Sequence, residues 1–225
     1  MTTWASPERL YFFFDYISHN AYLAWHALPA LARKHGLVVT PVPVLFGAML
    51  SHYKQVGPAE VPAKSAWMLR NVLRKAKERG IPIAPPASHP FNPLVTLRAT
   101  CADMTDAQRS ALVDRLFRAV WAESRPVTDA AAVRPLLAEV GLDADAILQQ
   151  VQGEPVKQRL RENTQAALDL GAFGVPTMKV RDELFWGYDD LEYLDQVLSG
   201  KDPLSADRHE LKPWASVRPS IERRR

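Results

Sequence analysis

The sequence predicts an α/β fold in which a small sheet domain is split by an all-helical insertion. Three observations carry this reading. An aromatic run near the start leads into an amphipathic helix and then a β-branched run. The middle of the chain reads as one helix after another. β patterning returns only after Gly171.

Residues 9–15 read Arg-Leu-Tyr-Phe-Phe-Phe-Asp. A short aromatic run closed by a polar turn has the length and composition of a buried strand. Ser18, His19 and Asn20 supply the turn, and apolar residues then recur at three and four positions over 21–35. That period is helical. Lys34 and His35 suit the negative end of the helix dipole, and Gly36 stops it. Residues 38–44 are β-branched and predict a second strand. Pro41 and Pro43 confine it to an edge or an irregular position. A strand, a helix and a strand at this spacing suit a parallel crossover.

Residues 67–79 predict a helix stopped by Gly80 and Pro82, and a proline-rich segment follows to Pro93. Further helices are expected over 94–102, 106–123, 130–139, 143–152 and 155–170, with Thr105, Thr128 and Asp143 as N-caps. Residues 177–180 and 183–186 flank the turn Arg181-Asp182 and read as a hairpin. A closing helix is expected over 189–198. Residues 201–225 are charged and contain prolines, and read as a mobile, solvated tail. This order matches a thioredoxin-like domain at 8–59 and 166–200, interrupted by a helical subdomain at 60–165.

Composition limits the function. With 225 residues, 47% of them hydrophobic, the chain buries a core without a staple. Its 28 basic and 25 acidic residues leave a net charge of +3, and Arg218, Arg223, Arg224 and Arg225 crowd the end. A basic stripe with interleaved aromatics is missing, so no nucleic-acid partner is expected. No apolar run has the length of a membrane span, and the start lacks the pattern of a secretory leader. Cys101 is the single cysteine, which excludes an internal disulfide, a Cys-x-x-Cys pair and a thiolate zinc cage. It fits a cytoplasmic setting, and its apolar neighbours mark it as packing. The histidines have no metal-ligand spacing, so no metal is assigned. Neither a glycine-rich phosphate loop nor a Gly-x-Ser-x-Gly elbow occurs.

Two segments carry the chemistry. One runs from Phe14 through Asp15, Ser18, Tyr22 and Leu23; the other is Phe173-Gly174-Val175-Pro176-Thr177. Ser18 falls where the first strand turns into a helix, whose free N–H groups and partial positive charge favour an anion. The two segments resemble those of the 2-hydroxychromene-2-carboxylate isomerases and kappa-class glutathione transferases, relatives of the DsbA-like oxidoreductases. Trp186-Gly187-Tyr188-Asp189 follows at the spacing of that family. Pro62-Ala63-Lys64 opens a helix that runs to Gly80-Ile81-Pro82, again in register. The resemblance covers about residues 9–200.

The resemblance implies a glutathione thiolate held by the Ser18 hydroxyl, where thiol oxidoreductases of this fold carry a cysteine. It implies a cis peptide bond before Pro176, which turns the backbone of Val175 towards an extended peptide such as glutathione. Lys64 would meet the glycyl carboxylate and Asp189 the α-amino group. Tyr188 and Gln55 would stand beside the ligand, Gln55 where the family usually has Asn. Tyr22 is expected to pack the helix start. The implied activity is a glutathione-dependent isomerisation of a small aromatic acid by a homodimer. The alternatives are a kappa-like transfer to another electrophile and a non-enzymatic peptide-binding module. The chain departs from the pattern twice. His19-Asn20-Ala21 replaces Pro-aromatic-Ser, and Asp190 replaces an arginine that would meet the γ-glutamyl carboxylate. His19 is either a general acid or base or an exposed turn residue.

Overall fold

The computed structural model describes Trp4 and residues 6–218. The end of the expected tail, including Ile221 and Arg223 to Arg225, lies outside the described residues. Strands β1 (Arg9–Phe14), β2 (Val38–Pro43), β3 (Thr177–Val180) and β4 (Glu183–Trp186) form one sheet in the order β2-β1-β3-β4. β1 and β2 are parallel and joined by helix α1 (His19–Lys34); β3 runs antiparallel to β1, and β4 antiparallel to β3. β2 is an edge strand, as its prolines require.

Between β2 and β3 the chain forms α2 (Phe46–His52), α3 (Pro62–Arg79), α4 (Leu94–Cys101), α5 (Asp106–Trp121), α6 (Ala130–Glu139), α7 (Ala144–Gln152) and α8 (Glu154–Asp169). α9 (Leu191–Leu198) and a short α10 (Leu211–Ala215) follow the sheet. This is the mixed α/β, thioredoxin-like fold expected from the element order.

Successive side chains of a strand point to opposite faces. Leu10, Phe12 and Phe14 of β1 enter a core shared with α1, α3, α4, α5, α6 and α7, while Tyr11 and Phe13 enter a second core with Val42, Met49 and Ala167. A strand covered on both faces needs a continuous apolar run rather than an alternating one. The aromatics at 12, 14 and 185 are core side chains. Cys101 is buried as well, and its burial pushes the thiol up to about 12.

Several boundaries shift for identifiable reasons. α1 starts at His19 because Ser18 is its cap: the Ser18 Oγ accepts the Ala21 N–H at 3.1 Å. Thr105 and Asp143 cap α5 and α7, but α6 is capped by Asp129, whose Oδ1 accepts the Ala132 N–H at 2.9 Å. Thr128 stands one residue too early for that bond. Each cap is worth about 1 kcal/mol. α9 begins at Leu191, later than expected, because Asp189 and Asp190 belong to the preceding turn. In the segment after α9, Arg208 pairs with Glu183 at 2.6 Å and with Asp202 at 2.8 Å, and the exposed α10 follows.

Candidate active site

The β1–α1 turn is pinned from several sides. The Asp15 carboxylate accepts the Ile17 N–H at 3.2 Å and the Phe46 N–H at 3.0 Å, which ties the turn to the start of α2. The Tyr16 carbonyl accepts the Trp121 indole N–H at 2.9 Å, and the Tyr16 hydroxyl bonds Thr100 at 2.7 Å. The His89 ring, from the proline-rich segment, lies 3.0 Å from the Ile17 carbonyl oxygen. Tyr22 donates its hydroxyl proton to the Pro82 carbonyl and so fastens the first turn of α1.

Ser18 sits at the end of this turn, where α1 presents its unpaired amides. Besides capping the helix, its hydroxyl donates to the Val175 carbonyl at 3.3 Å. The Val175-Pro176 bond is cis, as the resemblance implied. The Val175 carbonyl, expected to face a ligand, is thus engaged by Ser18. The two hallmark segments meet through this bond.

The second segment also meets the β4–α9 turn. A Cβ on Gly174 would lie 2.6 Å from the Trp186 indole nitrogen, so only glycine lets the indole lie there. Phe173 and Trp186 pack with ring centroids 5.0 Å apart, and both stay exposed. Asp190 accepts the Trp186 N–H at 2.8 Å and braces this turn.

Asp189 is held by Lys75 of α3, with Nζ 2.7 Å from its carboxylate. The same Nζ lies 5.4 Å from the centre of the half-buried Tyr188 ring. Lys64 and Gln55 are exposed, and their side chains bond none of the other candidate residues. Lys75 entered no motif. Its signal was its place on the buried side of α3, three residues from Val72 and next to Ala76.

His19 is not an exposed turn residue. It is 7% exposed, stacks edge-on to Trp121 at 5.7 Å, and its Nδ1 has no partner among the described residues. Burial, with the His89 imidazole and the Lys75 ammonium nearby, lowers its pKa to about 4. The ring is neutral near pH 7, which makes it a poor acid and a weak base. Asp15 shows the opposite shift: burial raises it to about 7, against the three backbone bonds that favour its charge. A carboxyl that titrates near neutrality thus underlies the turn that carries Ser18.

A cavity of about 750 Å³ beside the β2 edge, lined by Arg9, Tyr11, Arg109 and Arg159 among others, includes none of Ser18, Gln55, Lys64, Val175, Pro176, Tyr188 and Asp189. Its arginines are already engaged, Arg109 by the carbonyls of Thr100 and Met104 and Arg159 by Cys101 and Asp103. Among the described residues no His, Cys, Asp and Glu side chains gather as a metal site, and no helix is long and apolar enough to cross a membrane.

The DsbA-like thioredoxin domain family matches residues 9–199, nearly all of the structured chain. The chain belongs to that family. It is 31% identical over 197 residues to a 2-hydroxychromene-2-carboxylate isomerase from Sphingobium xenophagum, covering 83% of this chain and 96% of the relative. It is 27% identical to glutathione S-transferase kappa 1 from Caenorhabditis elegans, covering 87% and 93%. A solved 2-hydroxychromene-2-carboxylate isomerase superposes with a TM-score of 0.79 at 27% identity, covering 85% of this chain and 95% of that one. These relatives are enzymes, and the chain is an enzyme of the DsbA-like family.

Proposed function

We propose that the protein is a glutathione-dependent isomerase acting on a small aromatic acid, with Ser18 as its thiolate-holding group. The single observation that carries this is the position of the Ser18 hydroxyl. It caps a 16-residue helix and lies 3.3 Å from the carbonyl of the residue before cis-Pro176. The donor is uncharged and swings from the Val175 carbonyl to an incoming anion at small cost. The first amides of α1 add their partial positive charge. A thiolate placed there is stabilised relative to its thiol, so its pKa falls.

The remaining candidates fit the rest of a small peptide. Val175 offers its backbone N–H to an extended chain, and the exposed Lys64 suits a carboxylate. Asp189 and Tyr188 suit the opposite end. Bound glutathione supplies a thiolate that adds reversibly to an electrophilic carbon of the acid, so that a bond can rotate before the thiolate leaves. The similarity to 2-hydroxychromene-2-carboxylate isomerases supports this reaction over simple conjugation. The kappa-class relatives support a second reading, transfer of glutathione to another electrophile. The two part on one product: isomerisation returns free glutathione, and transfer leaves a conjugate. A cytoplasmic setting and a homodimer belong to the same proposal.

The test is to titrate glutathione into the pure protein and follow the ultraviolet thiolate band against pH. The expected result is a saturable band well below the pH at which free glutathione ionises, lost in Ser18→Ala. A band that survives in Ser18→Ala removes the role of Ser18, and no binding at millimolar glutathione removes the cofactor.

A further inference from the structure

The resemblance implies an arginine in the segment that would meet the amino-acid end of the ligand; this chain has Asp190 there, and its carboxylate accepts the Trp186 N–H. Another cation does stand beside this turn. Lys75 approaches from α3. Its side chain is only 14% exposed, whereas that of its partner Asp189 is 77% exposed. A lysine is seldom buried without a reason, because its ammonium gives up water for one partner. Here Nζ contacts both Asp189 oxygens, at 2.7 and 2.8 Å, and faces the Tyr188 ring. An ammonium has three donors and a carboxylate about four acceptor positions, so each retains capacity for a second partner.

We propose that Lys75 and Asp189 form the receptor for an α-amino-acid head group, Lys75 taking its carboxylate and Asp189 its ammonium. This rests on the glutathione reading above, in which the head group is the γ-glutamyl end. A zwitterion laid antiparallel to the Lys75–Asp189 pair makes a ring of four charges that alternate in sign. The geometry of α3 supplies an independent reason. Lys64 and Lys75 are eleven residues apart, close to three turns, so both lie on one face of the helix, roughly 16 Å apart along its axis. An extended tripeptide spans roughly 10–11 Å, and the two flexible side chains make up the difference. Two lysines on one helix face thus bracket a ligand that carries a carboxylate at each end.

The experiment compares glutathione with cysteinylglycine, which lacks the γ-glutamyl group, by calorimetric titration of the wild type, Lys75→Met and Lys75→Arg. The expected result is that Lys75→Met weakens glutathione about tenfold or more and leaves cysteinylglycine unchanged, because a charge-assisted bond is lost for one ligand only. Lys75→Arg keeps glutathione within about threefold, since the charge remains. Equal weakening of both ligands points to a structural role and overturns the proposal, as does unchanged glutathione binding. Wild-type protein that binds no glutathione overturns this proposal and the cofactor reading together, whereas wild-type binding that ignores Lys75 overturns this one alone. Should Lys75→Met fold poorly, Lys75→Gln serves in its place, with the same outcomes.

Discussion

The two turns at the candidate site are held by different kinds of contact. At the β1–α1 turn, Ser18 bonds its own helix three residues on, and the carbonyl of Val175 beside a cis proline. At the β4–α9 turn, Asp189 depends on Lys75, 114 residues away on another helix. The first joins a local cap, which any strand-to-helix junction can supply, to neutral hydrogen bonds from distant segments, the Val175 carbonyl and the Trp121 indole among them. The second is a single long side chain reaching across the molecule. Ser18 is thus placed by several neutral hydrogen bonds, and Asp189 by one charged side chain.

That contrast is broken most directly at Ser18. Ser18→Ala is expected to lower turnover about a hundredfold or more, as loss of a donor to a developing anion does. Losing the cap costs only about 1 kcal/mol of stability. Steady-state assay with an aromatic acid substrate and glutathione, beside a urea melt, reads both. A variant that keeps its turnover, or one that unfolds, would show the turn to be purely structural.

The next effect is in stability against pH, where Asp15 and His19 pull in opposite directions. Asp15 has a raised pKa in the fold, so its contribution is whole near pH 4 and is lost as pH rises to about 7. His19 has a lowered pKa, so its contribution is whole above pH 6.5 and is lost as pH falls to about 4. In the wild type the two slopes largely cancel. Asp15→Asn is expected to expose the histidine slope, with stability falling towards acid by about 3 kcal/mol. His19→Phe is expected to expose the carboxyl slope, with stability falling from pH 4 to 7 by a similar amount. Urea midpoints at four or five pH values decide this, and parallel curves for all three proteins would dismiss both shifts.

The smallest effect lies far from the site. Asp195 of α9 pairs with Lys34 at 2.7 Å and His35 at 2.6 Å at the end of α1. These groups are partly exposed, so Asp195→Ala is expected to cost at most about 1 kcal/mol, shrinking in high salt, and to leave turnover unchanged. A larger loss would mean that exposed charged pairs carry more of the fold than the first comparison allows.

What could be read from the sequence divides along a different line. β3, β4 and α6 were legible to the residue, because apolar alternation and turn residues bound them closely. Through the family resemblance, two short segments pointed to Ser18 and Val175-Pro176 and to the cis bond, but not to the hydrogen bond that joins them. α2 was not legible. Its cap position is Leu45 and it contains Gly47, and its first amide is satisfied by Asp15, a contact that no local pattern announces. The burial of His19 was missed because a polar Ser-His-Asn run reads as a solvated turn, whereas Trp121 and the His89 loop cover it. Asp190 was readable as a departure, but not as a brace for Trp186.

The sheet also sets a schedule for synthesis. β1 finds β2 soon after both leave the ribosome, but its other neighbour, β3, begins only at Thr177. At ordinary rates of elongation the interval is on the order of ten seconds. During it one edge of the most apolar strand in the chain has no partner, while α3 to α8 emerge and pack. A nascent chain of this protein is therefore expected to lean on chaperones late in translation, and to be released from them when the final hairpin closes the sheet.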